Sequence, residues 1–126
     1  MSLQFKNIYI LDMHFSGQVS DMEFNQWLSE IERLILKAQS FCLVMSTQQG
    51  TTFPEDYRSK QSVWLKKNKL KFRRFCIGLV RIAQDEQDAI RLDTPALHTA
   101  WQVPYFVTRQ HTDALHWAMQ RWICKI

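Results

Sequence analysis

The chain has few of the residues that cross-link or break a polypeptide: three Cys, three Gly and three Pro in 126 residues. Cys42, Cys76 and Cys124 are an odd number without a CxxC pair, so they give no disulfide framework and no zinc-binding pattern. Cys42 and Cys76 each follow a Phe in an apolar run, where a thiol behaves as a small hydrophobic group. We therefore expect free, structural thiols in a reducing compartment.

A long apolar run and a secretory leader are also missing. The longest apolar runs, FCLVM and FCIGLV, are far shorter than the roughly 20 residues that a membrane-spanning helix needs. The N-terminal stretch MSLQFKNIYILD has a single Lys, an acid inside its apolar part and no small-residue cleavage site. These features predict a cytoplasmic protein without a membrane span.

Motifs of catalysis, cofactor binding and metal binding are absent as well. The sequence has no GxSxG, P-loop or GxGxxG pattern. His111 and His116 are five residues apart, whereas two metal ligands on one helix prefer a spacing of three or four. Asp12 and His14 would project to one face of a strand, but nothing nearby supplies a nucleophile, which favours a polar cluster at a sheet edge. We expect no enzyme activity, no cofactor and no metal.

What the chain does have is one strongly basic segment, Arg58–Arg74. It carries eight cations and no acid, half of the sixteen Lys and Arg residues, while the remainder has eight cations against twelve carboxylates. A sequence pI near 9.1 favours partners of negative charge. The length and the 46% hydrophobic content predict a single domain over residues 1–126 with an ordinary core.

The start of the chain predicts a strand and a capped helix. β-branched and aromatic residues favour a strand over Phe5–Phe15, which Lys6-Asn7 divides into a short hairpin in one alternative. Ser20 and Glu23 have the spacing of a capping box. Apolar residues then recur at spacings of three and four to about Gln39, which predicts an amphipathic helix packed on a core.

The next part predicts a buried strand followed by the basic helix. Phe41–Met45 is a continuous apolar run, as expected of a central strand covered on both faces. Ser46–Phe53 is a polar loop, and Pro54 takes the first position of a second helix that ends near Lys71. A narrow apolar stripe on this helix leaves most of its surface basic. The stripe consists of Tyr57, Trp64, Leu65 and Phe72, with Gln61 and Asn68 on the same side.

A third strand and a further helical region follow. The strand is predicted over Phe75–Ile82, and Gly78 within it indicates close approach of a neighbouring backbone. A helix starts around Asp85. Thr94-Pro95 then either kinks this helix or begins a second one, because Thr caps well and Pro is tolerated only at a helix start.

The chain closes with a strand over Tyr105–Thr108 and a helix over about Gln110–Ile123. This helix is expected to bury Ala114, Leu115, Ala118, Met119 and Trp122. Strands therefore alternate with helices in the order βαβαβαβα, which implies crossover connections between parallel strands. The predicted fold is an α/β layered domain with four or five mostly parallel strands.

Three stretches carry a family resemblance: Phe15-Ser16-Gly17 before the capped helix, Trp64–Asn68 in the basic helix, and Pro104–Thr108 leading to Ala114–Trp117. With the order of elements, they make the chain resemble the STAS-type fold of the bacterial anti-sigma-factor antagonists, and more closely the STAS-like proteins of bacteria. The resemblance implies a non-enzymatic domain that works through protein contacts in a regulatory setting.

The resemblance also implies a candidate phospho-switch at Ser46 or Thr47. In STAS antagonists the phosphorylated Ser follows a strand, in an Asp-Ser-Ser or Asp-Ser-Thr context followed by Gly. Here the matching place reads MSTQQG, so Met45 replaces the Asp and Gly50 lies two residues further along. Such folds switch through a loop or a helix face, which indicates the loop Ser46–Thr52 and the adjacent start of the second helix.

The basic helix has three interpretations. Its cations can form a solvated face, they can bind nucleic acid or another polyanion with strong salt dependence, or they can meet an acidic partner or a second copy of the chain. Trp64 or Phe72 would add a stacking surface if exposed. The cations proposed for anion or partner binding are Lys66, Lys67, Lys69, Lys71, Arg73 and Arg74.

The last quarter of the chain is rich in large aromatic residues, namely Trp101, Tyr105, Trp117 and Trp122. They either form a bulky core or cover a dimer or partner surface. We therefore expect a monomer or a homodimer.

Overall fold

The computed structural model describes residues 2–3 and 7–125 and contains a four-stranded sheet, with all strands parallel. The strands lie side by side in the order of the sequence. They are β1 (Ile10–Phe15), β2 (Phe41–Thr47), β3 (Cys76–Ile82) and β4 (Tyr105–Thr108). The predicted α/β layered fold is confirmed. Residues 41–45 of β2 are fully covered between β1 and β3, as a continuous apolar run requires.

In the described part of the chain, five helices cover the two faces of the sheet unequally. They are α1 (Asp21–Leu36), α2 (Tyr57–Phe75), α3 (Glu86–Leu92), α4 (Pro95–Trp101) and α5 (His111–Lys125). Apolar residues of α1, α2 and α4 share one core with Leu43 and Leu79, whereas α5 packs against Val44 and Val80 on the other face. This division follows from the strand order, because right-handed crossovers between successive neighbours all lie on one face.

β1 is shorter than the sequence predicts, since it begins at Ile10. Phe5 and Lys6 lie outside the described residues, and so does the hairpin alternative. The backbone carbonyl of Tyr9 accepts hydrogen bonds from the Cys42 backbone N–H (3.0 Å) and from the indole N–H of Trp122 (3.1 Å). The start of β1 is therefore tied to both β2 and α5.

The capping box of α1 is confirmed. The Glu23 backbone N–H donates to Ser20 Oγ at 3.1 Å, and the Ser20 backbone N–H donates to Glu23 Oε1 at 3.1 Å. The helix ends at Leu36, before the predicted end at Gln39. Ala38 adopts the left-handed conformation (φ 55°), and the backbone N–H groups of Ala38 and Gln39 bond back to the carbonyls of Ile35 and Leu34. These bonds form a Schellman motif.

The polar loop before α2 is shorter than predicted. Ser46 and Thr47 belong to β2, where they pair with His14 and Phe15 of β1. The placement of Ser46 in a loop is therefore wrong, because the ladder with β1 extends two residues beyond the apolar run. The loop proper begins at Gln48.

The bounds of α2 also differ from the prediction. The backbone N–H of Tyr57 donates to the Pro54 carbonyl at 3.0 Å, so Pro54 belongs to a turn and α2 begins at Tyr57. The helix continues past Lys71 to Phe75, since no Gly or Pro interrupts it. Phe75 is thus helical and does not open β3. The predicted inner stripe is confirmed by Phe72 and Asn68, which are buried.

Gly78 of β3 does mark a close approach, but the neighbour is a side chain of α5. A β carbon at Gly78 would lie 2.7 Å from Cζ3 of Trp117. The Trp117 ring also stacks on Phe106, with ring centroids 5.5 Å apart and an interplanar angle of 17°. The absence of a side chain at Gly78 therefore lets α5 lie close to the sheet.

Two short helices, α3 and α4, replace the kinked alternative. Asp85 caps α3 by accepting from the Asp88 backbone N–H at 2.8 Å. Thr94 caps α4 by accepting from the Leu97 backbone N–H at 3.3 Å, with Pro95 in the first turn. The second of the two alternatives for this region is correct.

The inner face of α5 is narrower than the sequence predicts. Ala114, Ala118 and Trp122 are buried at a spacing of four, and Leu115 is half-buried. Met119 is 41% exposed, so its predicted burial is wrong. The small side chains of Ala114 and Ala118 bring the helix near the strands, and Met119 lies beside this line of contact.

Candidate functional site

The carboxyl ends of β1 and β2 bring together polar side chains on the face that α5 covers. Asp12 Oδ2 lies within hydrogen-bonding distance of His111 Nε2, 2.5 Å away. His14 Nδ1 lies 2.8 Å from Ser46 Oγ. The sequence prediction that no nucleophile lies near Asp12 and His14 is thus wrong for His14, because the strand register places Ser46 directly beside it.

The His14–Ser46 pair has only part of the geometry of a catalytic triad. Ser46 Oγ lies 2.8 Å from His14 Nδ1 and 3.4 Å from the Met13 carbonyl, so the ring nitrogen and the carbonyl compete for the same hydroxyl hydrogen. The contact alone therefore does not assign His14 the role of a general base. Asp12 contacts His111, so it does not orient the His14 ring. The absence of enzyme activity stays a prediction.

The remaining histidines have separate surroundings. His98 Nε2 lies 2.7 Å from Asp93 Oδ1, and its ring contacts Tyr105 edge-on with centroids 4.6 Å apart. His116 is exposed on α5. Within residues 2–3 and 7–125, no three His, Cys, Asp or Glu side chains lie close enough together to hold a metal ion.

Two of the three thiols are buried. Burial raises the pKa of Cys42 to about 12 and also raises the pKa of Cys76. Cys124 is free and exposed near the end of α5. The packing role predicted for Cys42 and Cys76 is confirmed.

The large aromatic residues of the last quarter of the chain mostly pack in the core. Tyr105 and Trp122 are buried, and Trp101 and Trp117 are half-buried. The Tyr105 hydroxyl donates to the Leu92 carbonyl at 2.8 Å. Of the two interpretations of these residues, the bulky core is the one that the packing supports.

The basic segment forms most of α2. Lys60 is paired at 2.9 Å with Asp21 of α1 and at 3.7 Å with Asp56. The six cations proposed for binding have no carboxylate within 4.0 Å among residues 2–3 and 7–125. We call these six the α2 cations: Lys66, Lys67, Lys69, Lys71, Arg73 and Arg74. Arg73 is half-buried and the other five are exposed.

Five of the six α2 cations lie around two different surfaces. Lys66, Lys69 and Arg73 line a groove of about 300 Å³ between α2 and α4, beside Trp101. The other surface faces outward and contains two exposed aliphatic residues, Val63 (65% exposed) and Leu70 (79% exposed). At helical spacing these two share a face with Lys67 and Arg74. We call the strip Val63–Lys67–Leu70–Arg74 the outer strip.

A cavity that the sequence did not predict lies at the carboxyl end of the sheet, on the face of α1 and α2. It has a volume of about 170 Å³, and the guanidinium-bearing residues Arg81 and Arg91 line it together with Thr47 and Gln61. Phe15, Phe24, Trp27, Phe53 and Tyr57 form its aromatic wall. The only sequence signal for this site was one Arg inside an otherwise apolar strand, CIGLVRI.

The predicted phospho-switch residues occupy different surroundings. Ser46 is half-buried beside His14, on the face of α5. Thr47 is half-buried on the opposite face and lines the Arg81 cavity. Adjacent residues of a strand point to opposite faces, so a phosphate on one would not occupy the place of a phosphate on the other.

No protein-family model, no curated protein and no solved structure matches the chain. Among the helices that the structure describes, none has the length and apolar character to cross a membrane.

Proposed function

We propose that the chain is a non-enzymatic, STAS-like interaction domain of a bacterial regulatory system that binds an acidic protein surface through α2. The outer strip is the observation that carries this proposal. It combines two largely exposed aliphatic side chains with cations that have no acidic partner among the described residues.

An exposed Val or Leu alone would need no explanation, because scattered apolar residues are normal on protein surfaces. Here the charged residues three or four positions from Val63 and Leu70 on α2 are all cations. Protein interfaces commonly have an apolar centre within a polar rim, and complementary charge speeds the encounter of the partners. Full burial of each aliphatic side chain would contribute about 1.5–3 kcal/mol.

A second candidate function is binding of single-stranded nucleic acid or another polyanion in the α2–α4 groove. The specific observation is that Lys66, Lys69 and Arg73 line one groove beside Trp101. Three phosphate contacts would give a slope of log K against log salt of about −2 for a single strand. Apolar residues of the outer strip would contribute little to such binding.

Matched variants separate the two candidates. Val63→Ser with Leu70→Ser removes the apolar centre of the outer strip and keeps every charge. Lys66→Gln with Lys69→Gln removes two of the positive charges that line the α2–α4 groove. Ile90→Ser on α3 is the control, because Ile90 is a similarly exposed aliphatic residue (67%) on another element. Circular dichroism of each variant verifies that the fold is retained.

Two measurements follow. Quantitative pulldown from the organism that encodes the chain should recover an acidic protein with the wild type and with Ile90→Ser, but not with the outer-strip variant. Fluorescence anisotropy of a labelled single-stranded oligonucleotide, at low and high salt, should show no tight binding. Tight, salt-dependent oligonucleotide binding that only the groove variant loses would replace the first candidate with the second.

The phospho-switch at Ser46 or Thr47 is a separate part of the proposal. Its test is mass spectrometry of the protein purified from its own organism under conditions that preserve phosphate esters. The absence of any modified Ser or Thr would remove the switch and leave the interaction domain in place. Mass in solution, measured by light scattering, distinguishes the monomer from the homodimer.

A further inference from the structure

Arg81 has an unusual position for a cation. It lies in β3, an inner strand, and pairs in register with Met45 of β2 and Val107 of β4. Its neighbours on the strand, Val80 and Ile82, pack into the core on the side of α5. Alternation along the strand places the Arg81 side chain on the opposite face, in the cavity.

The charge of Arg81 is not compensated within the described part of the chain. Among residues 2–3 and 7–125, no carboxylate lies within 4.0 Å of its guanidinium. Asp88 is near enough to influence Arg81, but its carboxylate is bound to Arg91 at 2.6 Å and to the Gln84 backbone N–H at 3.0 Å. Two guanidinium groups therefore share one carboxylate, and the cavity keeps a net positive charge.

Arg81 is half-buried, and this arrangement is costly for the protein on its own. The pKa of Arg81 is lowered, chiefly because its partial removal from water disfavours the charged form. A charge withdrawn from water is normally paired or bound to a counter-ion. An apolar residue at position 81 would pack on Met45 and Val107 without this cost, so the cation is better explained by a ligand than by stability.

The aromatic wall defines the rest of the ligand. Phe15 and Phe53 meet edge-on with centroids 5.3 Å apart, and Phe53 stacks on Tyr57 at 4.9 Å. These rings form one contiguous aromatic surface in the lining of the cavity. An apolar cavity of about 150 Å³ holds one benzene molecule, so about 170 Å³ suits a single ring.

We propose that this cavity binds a small organic anion, consisting of one aromatic or similar planar ring that carries a carboxylate or a phosphate. The acid group contacts Arg81 and Arg91, and the ring packs against the aromatic wall. Guanidinium groups suit both acids, because their N–H groups match the oxygen spacing of carboxylate and phosphate. Binding at this site is independent of the partner proposed for α2.

Isothermal titration calorimetry of the full chain tests the ligand class. Benzoate and phenyl phosphate should bind with a dissociation constant of about 1 mM or tighter, which is reasonable for so few atoms. Acetate and inorganic phosphate lack the ring, benzyl alcohol lacks the charge, and 2-naphthoate exceeds the cavity. Each of these should bind at least about tenfold more weakly.

Variants test the place of binding. Arg81→Gln should weaken benzoate binding roughly tenfold to a hundredfold, and Arg91→Gln, which removes an exposed guanidinium, about threefold or more. Arg33→Gln on α1 is the control and should bind like the wild type. In nuclear magnetic resonance spectra, benzoate should shift the indole N–H signal of Trp27 but not that of Trp101.

If Arg81→Gln does not fold, Arg91→Gln alone decides, because Arg91 is exposed and its loss leaves the core intact. The proposal is overturned if neither ring anion binds the wild type, if benzyl alcohol binds as well as benzoate, or if a folded cavity variant keeps the wild-type affinity.

Discussion

Replacing Gly78 by Ala tests whether α5 lies as close to the sheet as the structure has it. The added carbon would lie 2.7 Å from Cζ3 and 2.9 Å from Cη2 of Trp117, and 3.0 Å from Cγ of Arg121. The Trp117 ring cannot move away freely. It is stacked on Phe106, and the Arg121 guanidinium lies over it, 5.5 Å from the ring centroid.

Two opposing effects set the size of the change. Replacing Gly by Ala restricts the unfolded chain, which by itself stabilises a protein by about 0.4–1 kcal/mol. Overpacking a well-filled core typically costs about 1–3 kcal/mol. Since the contacts fall below 3.0 Å on a held ring, the steric cost dominates. We expect Gly78→Ala to lower the free energy of unfolding by about 1–2 kcal/mol.

Urea unfolding followed by far-ultraviolet circular dichroism measures this value, provided that the slope with urea is unchanged. A double-mutant cycle with Trp117→Leu isolates the contact. Without the indole ring, Gly78→Ala should be neutral or stabilising by up to about 1 kcal/mol. An equal destabilisation in both backgrounds, or a stabilised single variant, would contradict the packing of α5 on β3.

Four further predictions concern the helix ends and the thiols. Ala38→Gly should raise the free energy of unfolding by about 1 kcal/mol in the same urea assay, because Ala38 is held at φ 55°. Ser20→Ala should lower it by about 1 kcal/mol through loss of the α1 cap. Hydrogen bonds from the Ser20 backbone and hydroxyl lower the pKa of Glu23 in the folded protein. The ionised carboxylate therefore stabilises the fold above the pKa that Glu23 has in the unfolded chain, and this stabilisation is lost as the pH falls through the pKa of the folded state. The difference in unfolding free energy between wild type and Glu23→Gln, measured across acidic pH, should shrink as the pH falls. At pH 8, Ellman's reagent should label Cys124 in the native protein, and should label the two buried thiols only after unfolding, since burial raises the pKa of Cys42 to about 12.

Local sequence signals were sufficient for most of the fold. The capping residues Ser20, Asp85 and Thr94 each start a helix where the pattern predicted one, because a cap satisfies backbone groups within a few residues. Boundaries that depend on distant partners were wrong. Ser46 and Thr47 have the composition of a loop, but pairing with β1 makes them part of a strand.

The Arg81 cavity could not be predicted in the same way. Its residues come from β1, α1, β2, the loop before α2, α2, β3 and α3, and only the folded chain brings them together. The sequence offered one local sign, a cation in an apolar strand. Such an Arg can extend into solvent, pair with an acid or line a cavity. Which of these occurs depends on the neighbouring residues in the folded sheet, and the sequence alone does not give those neighbours. The α2 cations could be predicted from the sequence, because they are clustered within one short stretch of it.

The strand order has a consequence for how the molecule is assembled during synthesis. Each strand after the first pairs with the one made just before it, so the sheet can grow at one edge and no strand waits for a later segment to complete its ladder. The face formed by Cys42, Val44 and Val80 is different, because α5, the helix that covers it among the described residues, is made after all four strands. Until α5 has been synthesised, the nascent chain exposes this apolar face, and transiently exposed apolar surface is what chaperones bind.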